Sequence, residues 1–282
     1  MCPVADLYIA IANIGFFVGV LGVYLVRSAI VGRRRHARTD ADGGSVFLNK
    51  RTMEMVYWIL DPVIDFLAAL RITPNMVTLF SLVPAAGAGV ALAFGWFGLA
   101  SLLAVVSTFC DILDGLLARK TGVSSNAGEV IDAAVDRYGE MFFLGGLVYY
   151  YRTHDQVLFI VLAAIIGSFM VSYATAKAEA MGVAAPRGAM RRGERAAYLI
   201  FGAAFTPVSK AVFANSPSLA VHELPIILAL TIVAVVSNIS VLQRLAAVIE
   251  ALRAKEKAPV AAPPKSTEPI VASKPDASAG QV

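Results

Sequence analysis

The chain has 282 residues, of which 58% are hydrophobic and 16% charged, with a formal net charge of +4 and a mean hydropathy of +0.70. That balance excludes an ordinary soluble domain and indicates a chain that crosses a membrane several times. Cys2 and Cys110 are the two cysteines, too few for a disulfide framework or a zinc site.

Taken in order, residues 7–26 are an apolar run of about one bilayer thickness as a helix. Arginines follow it and no small-residue cleavage site closes it, so a retained anchor with its amino end outside is expected. Residues 1–45 read as this anchor with a basic linker. Across 46–72, apolar residues including Met55, Ile59, Leu60, Val63 and Phe66 recur at helical spacing among charges, which predicts a helix in the interface plane, interrupted or kinked at Pro62. Thr73-Pro74 predicts a helix start with Thr73 as N-cap. Spans are then expected over 76–94, 97–117, 127–150, 157–176, 196–213 and 224–242, with a tight turn at Gly95-Trp96, a polar loop at 119–126 and a basic loop at 177–195. Tyr149, Tyr150 and Tyr151 predict an outer aromatic belt. The expected fold is an all-α polytopic membrane protein: a six-span catalytic unit over 73–250, the anchor and interfacial helices before it, and a disordered tail at 251–282.

Basic residues gather beside the spans: Arg27 and Arg33, Lys50 and Arg51, Arg187 to Arg195, Arg244 to Lys257. The positive-inside rule assigns these to the cytoplasmic face of an inner membrane, and anionic headgroups account for them without nucleic acid.

Between residues 111 and 136 stand Asp111, Asp114, Asp132 and Asp136, bordered by apolar sequence. Ionised groups at a bilayer edge are expensive and usually functional. On a helix, Asp111 and Asp114 share one face; Asp132 and Asp136, at i and i+4, share a face of the next. A short loop joins the two helices, which predicts antiparallel neighbours with all four carboxylates converging. Four anions that close need cations, and oxygen-only ligands suit Mg²⁺, Mn²⁺ or Ca²⁺. Four carboxylates can hold two ions that clamp a phosphate chain and its attacking oxygen. Gly115 and Gly128 leave room for a flat group such as a nucleobase, and Arg119 can neutralise a phosphate. An acid-lined ion pathway would spread its acids through the membrane depth, whereas these lie at one level.

Asp111, Asp114, Gly115, Ala118, Arg119, Gly128, Asp132 and Asp136 fit D-x-x-D-G-x-x-A-R-(x)8-G-x-x-x-D-x-x-x-D without departure, and on them the chain resembles the CDP-alcohol phosphotransferase family. The resemblance covers about 72–242. It implies a six-helix membrane core, usually a homodimer, that transfers a phosphatidyl group from CDP-diacylglycerol to an alcohol with release of CMP. It also implies two divalent ions, Mg²⁺ or Mn²⁺, on the four aspartates, with Asp136 as general base. Asp114, Gly115, Ala118, Arg119 and Gly128 then surround the CDP moiety, joined by Asn75 and Thr78 of a P-N-x-x-T motif. A membrane prenyltransferase also uses acidic motifs, but separates them widely; an ion-coupled transporter would release no CMP.

The segment with Lys177, Arg187, Arg191 and Arg195 resembles phosphatidylinositol phosphate synthases, which implies a basic pocket for a phosphorylated acceptor. Inositol phosphate is the leading expectation and glycerol phosphate the alternative.

Overall fold

The protein was analysed as a computed structural model, which describes residues 2–31, 50–123, 125–183, 188 and 190–257. Arg187 and the tail beyond residue 257 lie outside the described residues, as does most of the predicted linker. Among the described residues every regular element is an α-helix: α1 (Pro3–Val31), α2 (Lys50–Ala69), α3 (Pro74–Ala93), α4 (Phe97–Thr121), α5 (Asn126–Tyr150), α6 (Asp155–Ala180), α7 (Arg192–Val212), the short α8 (Leu219–His222) and α9 (Leu224–Lys257).

Five of these, α1, α3, α4, α6 and α9, are long and apolar enough to cross a membrane. α5 and α7 are the helices that carry Asp132, Asp136, Arg137 and Glu140, and Arg192, Glu194 and Arg195; site charges lower their apolarity, and both are nevertheless packed in the bundle. The core joins Leu92, Phe97, Leu144, Leu147, Val161, Leu199, Ile226 and Leu230, all nearly or fully buried.

The helices begin largely where the sequence predicts and several end later. The Thr73 hydroxyl accepts the Met76 N–H at 3.4 Å, with Pro74 in the first turn, so α3 starts as expected. Gly95 takes φ 75° in the tight turn between α3 and α4, a conformation that favours glycine. α2 runs through Pro62 without ending and packs Leu60 and Ile64 against Val77, Leu113 and Leu117. α6 continues to Ala180 and α7 begins at Arg192, so Lys177 and Arg195 stand on helices rather than in the predicted basic loop. α9 runs through the predicted boundary at residue 250, to Lys257. At 1.5 Å per residue its 34 residues reach about 50 Å, well beyond a hydrocarbon layer of about 30 Å.

The outer belt is also revised. Tyr149 is exposed, but the Tyr150 and Tyr151 hydroxyls turn inward and donate to Glu223 at 2.5 and 2.6 Å. Glu223 is buried, and Lys210 completes its partners at 2.8 Å. A buried carboxylate requires such partners, and this one binds α5 and α7 to the entry of α9.

The predicted α4–α5 adjacency holds only near their shared loop. α3 packs extensively on both α4 and α5, while α4 and α5 touch each other sparsely. A Cβ on Gly146 would collide with the Gly89 carbonyl, so this glycine pair lets α3 and α5 approach closely. α3 is thus a wedge between α4 and α5, and the aspartates lie at the end where those two helices are joined.

Candidate active site and metal centre

The hairpin end is built by local capping. Gly122, at φ 70°, ends α4 by donating its N–H to the Ala118 carbonyl, and the Ser125 hydroxyl starts α5 by accepting from Gly128 N at 3.1 Å. This sets Asp111 and Asp114 before the turn and Asp132 and Asp136 after it. Carboxylate oxygens of Asp111, Asp114 and Asp132 all lie within 4.8 Å of one another. The Thr78 hydroxyl is 2.5 Å from Asp114 Oδ2 and 3.1 Å from the Pro74 carbonyl, so α3 orients one of the three. Asp136 joins through Arg192, whose Nη1 lies 2.8 Å from Asp111 Oδ2 and 2.5 Å from Asp136 Oδ2. The other oxygen, Asp136 Oδ1, is buried without a hydrogen-bond partner. Three converging carboxylates and an orphaned fourth oxygen fit oxygen-seeking divalent cations such as Mg²⁺ or Mn²⁺.

Two clefts meet at this cluster. The first, about 510 Å³, is lined by Asn75, Thr78, Asp114, Gly115, Ala118, Arg119 and Gly128, the whole predicted nucleotide set, together with Ser125, Asn126 and Asp132. A Cβ on Gly128 would come 3.2 Å from Asn75 Oδ1, so glycine keeps the cleft wall low. The second, about 360 Å³, is bounded by Asp132, Asp136 and Glu140 of α5, Thr175 and Glu179 of α6, Arg191, Arg192, Arg195 and Arg244. Asp132 and Glu129 line both.

Of the predicted acceptor residues, Arg191 and Arg195 line the second cleft, while Lys177 is exposed and not among its lining. Arg195 is almost fully buried and pairs with both Glu140 oxygens at 2.7 and 3.0 Å, so part of its charge is already engaged. Sequence reasoning named Arg192 and Arg244 among the basic clusters without assigning either to the acceptor site, and missed Glu140 and Thr175. Arg244 donates to Thr175 Oγ1 at 2.6 Å, and its Nε is buried without a partner. A signal for it exists: Ser237, Ser240 and Arg244 form a polar stripe at helical spacing on an otherwise apolar helix.

Residues 71–236 match the sequence pattern of the CDP-alcohol phosphatidyltransferases. The chain belongs to the CDP-alcohol phosphatidyltransferase family. This transferase is 30% identical over 194 residues to the phosphatidylinositol phosphate synthase of Cutibacterium acnes, covering 67% of this chain and 92% of that one. It is 34% identical over 148 residues to the archaetidylinositol phosphate synthase of Pyrococcus horikoshii, covering 52% and 77% respectively. The phosphatidylinositol phosphate synthase of Mycobacterium tuberculosis, solved in complex with manganese and citrate, superposes with a TM-score of 0.59 at 25% identity, over 67% of this chain and 88% of the other. The same synthase with CDP-diacylglycerol bound gives a TM-score of 0.57 at 25% identity, over 66% and 92%. The transferase is therefore a multi-pass, metal-dependent membrane enzyme that moves a phosphatidyl group from a CDP-linked lipid to an alcohol with release of CMP.

Proposed function

We propose that the protein is a phosphatidylinositol phosphate synthase, transferring the phosphatidyl group of CDP-diacylglycerol to a hydroxyl of inositol phosphate. The observation that carries this reading is the pair of clefts sharing Asp132: one lined by the family's nucleotide positions, the other rimmed by arginines. Guanidinium groups suit a phosphate dianion because of their planar forks of donors. The chain's similarity to phosphatidylinositol phosphate and archaetidylinositol phosphate synthases favours inositol phosphate over glycerol phosphate among phosphorylated alcohols.

In this reading Asn75, Thr78, Gly115, Ala118, Arg119 and Gly128 seat the cytidine nucleotide, and Arg191, Arg192, Arg195 and Arg244 hold the acceptor phosphate. Arg187 and Lys177, predicted for the same role, lie respectively outside the described residues and away from the cleft lining. Asp111, Asp114, Asp132 and Asp136 would hold two divalent ions, which neutralise the pyrophosphate and stabilise the departing CMP. Asp136 lines the acceptor cleft and its free Oδ1 takes the hydroxyl proton as the oxygen attacks the lipid-side phosphorus. The P–O bond to CMP breaks as the new ester forms. The clefts would open to the cytoplasm through the inner membrane, given the basic residues at this end, and two copies would form a homodimer.

The test is an acceptor panel. Purified protein, CDP-diacylglycerol and Mn²⁺ or Mg²⁺ are incubated with inositol phosphate, inositol, glycerol phosphate, serine or no acceptor, and CMP is measured. Release with inositol phosphate well above all other acceptors is the expected result. Preferential turnover of glycerol phosphate or of an unphosphorylated alcohol would reject it.

A further inference from the structure

Arg192 stands where a cation of the catalytic centre belongs. A single nitrogen, Nη1, serves two carboxylates: 2.8 Å to Asp111 Oδ2 and 2.5 Å to Asp136 Oδ2. A divalent ion held by both carboxylates would need the space between them that the guanidinium fills. Guanidinium and ion cannot share it. The remaining group of Asp111, Asp114 and Asp132 needs no arginine to come together, since its oxygens already lie within 4.8 Å of one another. Asp111 is thus common to the three-carboxylate group and to the pair that Arg192 bridges.

Arg192 also lines the second cleft beside Glu140, Arg191, Arg195 and Arg244. It is the first residue of α7, and its side chain is partly exposed. Released from the carboxylates, its charge faces the space that would take an anionic acceptor.

We propose that Arg192 is the built-in counter-cation of the Asp111–Asp136 side, that uptake of the second divalent ion displaces it, and that the displaced guanidinium becomes part of the acceptor cleft. The residue thereby orders the centre: the first ion enters at Asp111, Asp114 and Asp132, and the second enters only by moving Arg192. This rests on the reading that the four aspartates are the metal ligands.

The test is Mn²⁺ binding without nucleotide. Protein in lipid nanodiscs is titrated with Mn²⁺ and the free ion is followed by electron paramagnetic resonance. Two classes of site are expected in the wild type. In Arg192→Gln the weaker class should tighten by about tenfold or more, because a competing charge in contact with its ligands is gone. Arg192→Lys, whose point charge reaches one carboxylate at a time, should fall between and guards against misfolding of the first variant. With chelator present, Arg192→Gln should melt below wild type, and saturating Mn²⁺ should close that gap. Identical titrations in wild type and Arg192→Gln, or a weaker second class in the variant, overturn the proposal while leaving the metal reading intact. No Mn²⁺ binding by the wild type overturns both.

Discussion

Thr78, Asp114 and Asp136 of the candidate centre have different surroundings. Thr78 fixes one oxygen of Asp114 at 2.5 Å, whereas Asp136 keeps a buried oxygen free. Asp136→Asn is expected to abolish CMP release while the purified protein stays monodisperse by size-exclusion chromatography; turnover near wild type would remove its role as base. Thr78→Val removes a hydrogen bond to a charged group, worth about 1.5–3 kcal/mol, so kcat should fall roughly 10- to 100-fold with the fold intact. Glu140→Ala strands the buried Arg195 charge, and breaking such a pair costs about 3–5 kcal/mol; a clear drop in melting temperature measures it. The aspartates were legible in sequence because i, i+3 and i, i+4 spacings are local facts about a helix. The Arg192–Asp111 and Arg195–Glu140 contacts were not, since they join residues 81 and 55 positions apart. Local spacing does not reveal which distant arginine turns toward which acid.

At the scale of helices, α1 is fastened to the bundle by polar contacts. Asp6 is buried and accepts the N–H groups of Gly98 and Leu99, each at 3.0 Å, which caps the start of α4. Asn13 adds a bond to Ser101 at 3.1 Å, and a Cβ on Gly98 would strike the Asp6 backbone. Asp6→Ala should therefore lower stability by about 1–2 kcal/mol, the usual cost of losing a cap, read from unfolding of the detergent-solubilised protein. The long helices and most of their starting points followed from apolar runs and from the Thr73 and Gly95 signals. The later ends of α6 and α9 did not, because a helix emerging from the bilayer can carry polar residues such as Lys177 and Arg244 without ending. Short connections suggest neighbours, yet α3, placed between α4 and α5, denies them a long contact.

Across the whole molecule, the Asp6 cap and the aspartate cluster mark opposite ends of α4. From Gly98 to Asp111 is about 20 Å of helix rise, most of a hydrocarbon layer. Cys2 is exposed and Cys110 buried, so the two thiols report different things. In sealed right-side-out vesicles, a membrane-impermeant maleimide should label Cys2 from the outer side; labelling only after the vesicles are opened would invert the proposed orientation. At the end of the bundle that holds the Asp6 cap, Tyr150, Tyr151 and Lys210 converge on Glu223, while the clefts lie at the opposite end. Separating α5, α7 and α9 at that end would strand a buried carboxylate, so the knot resists their parting.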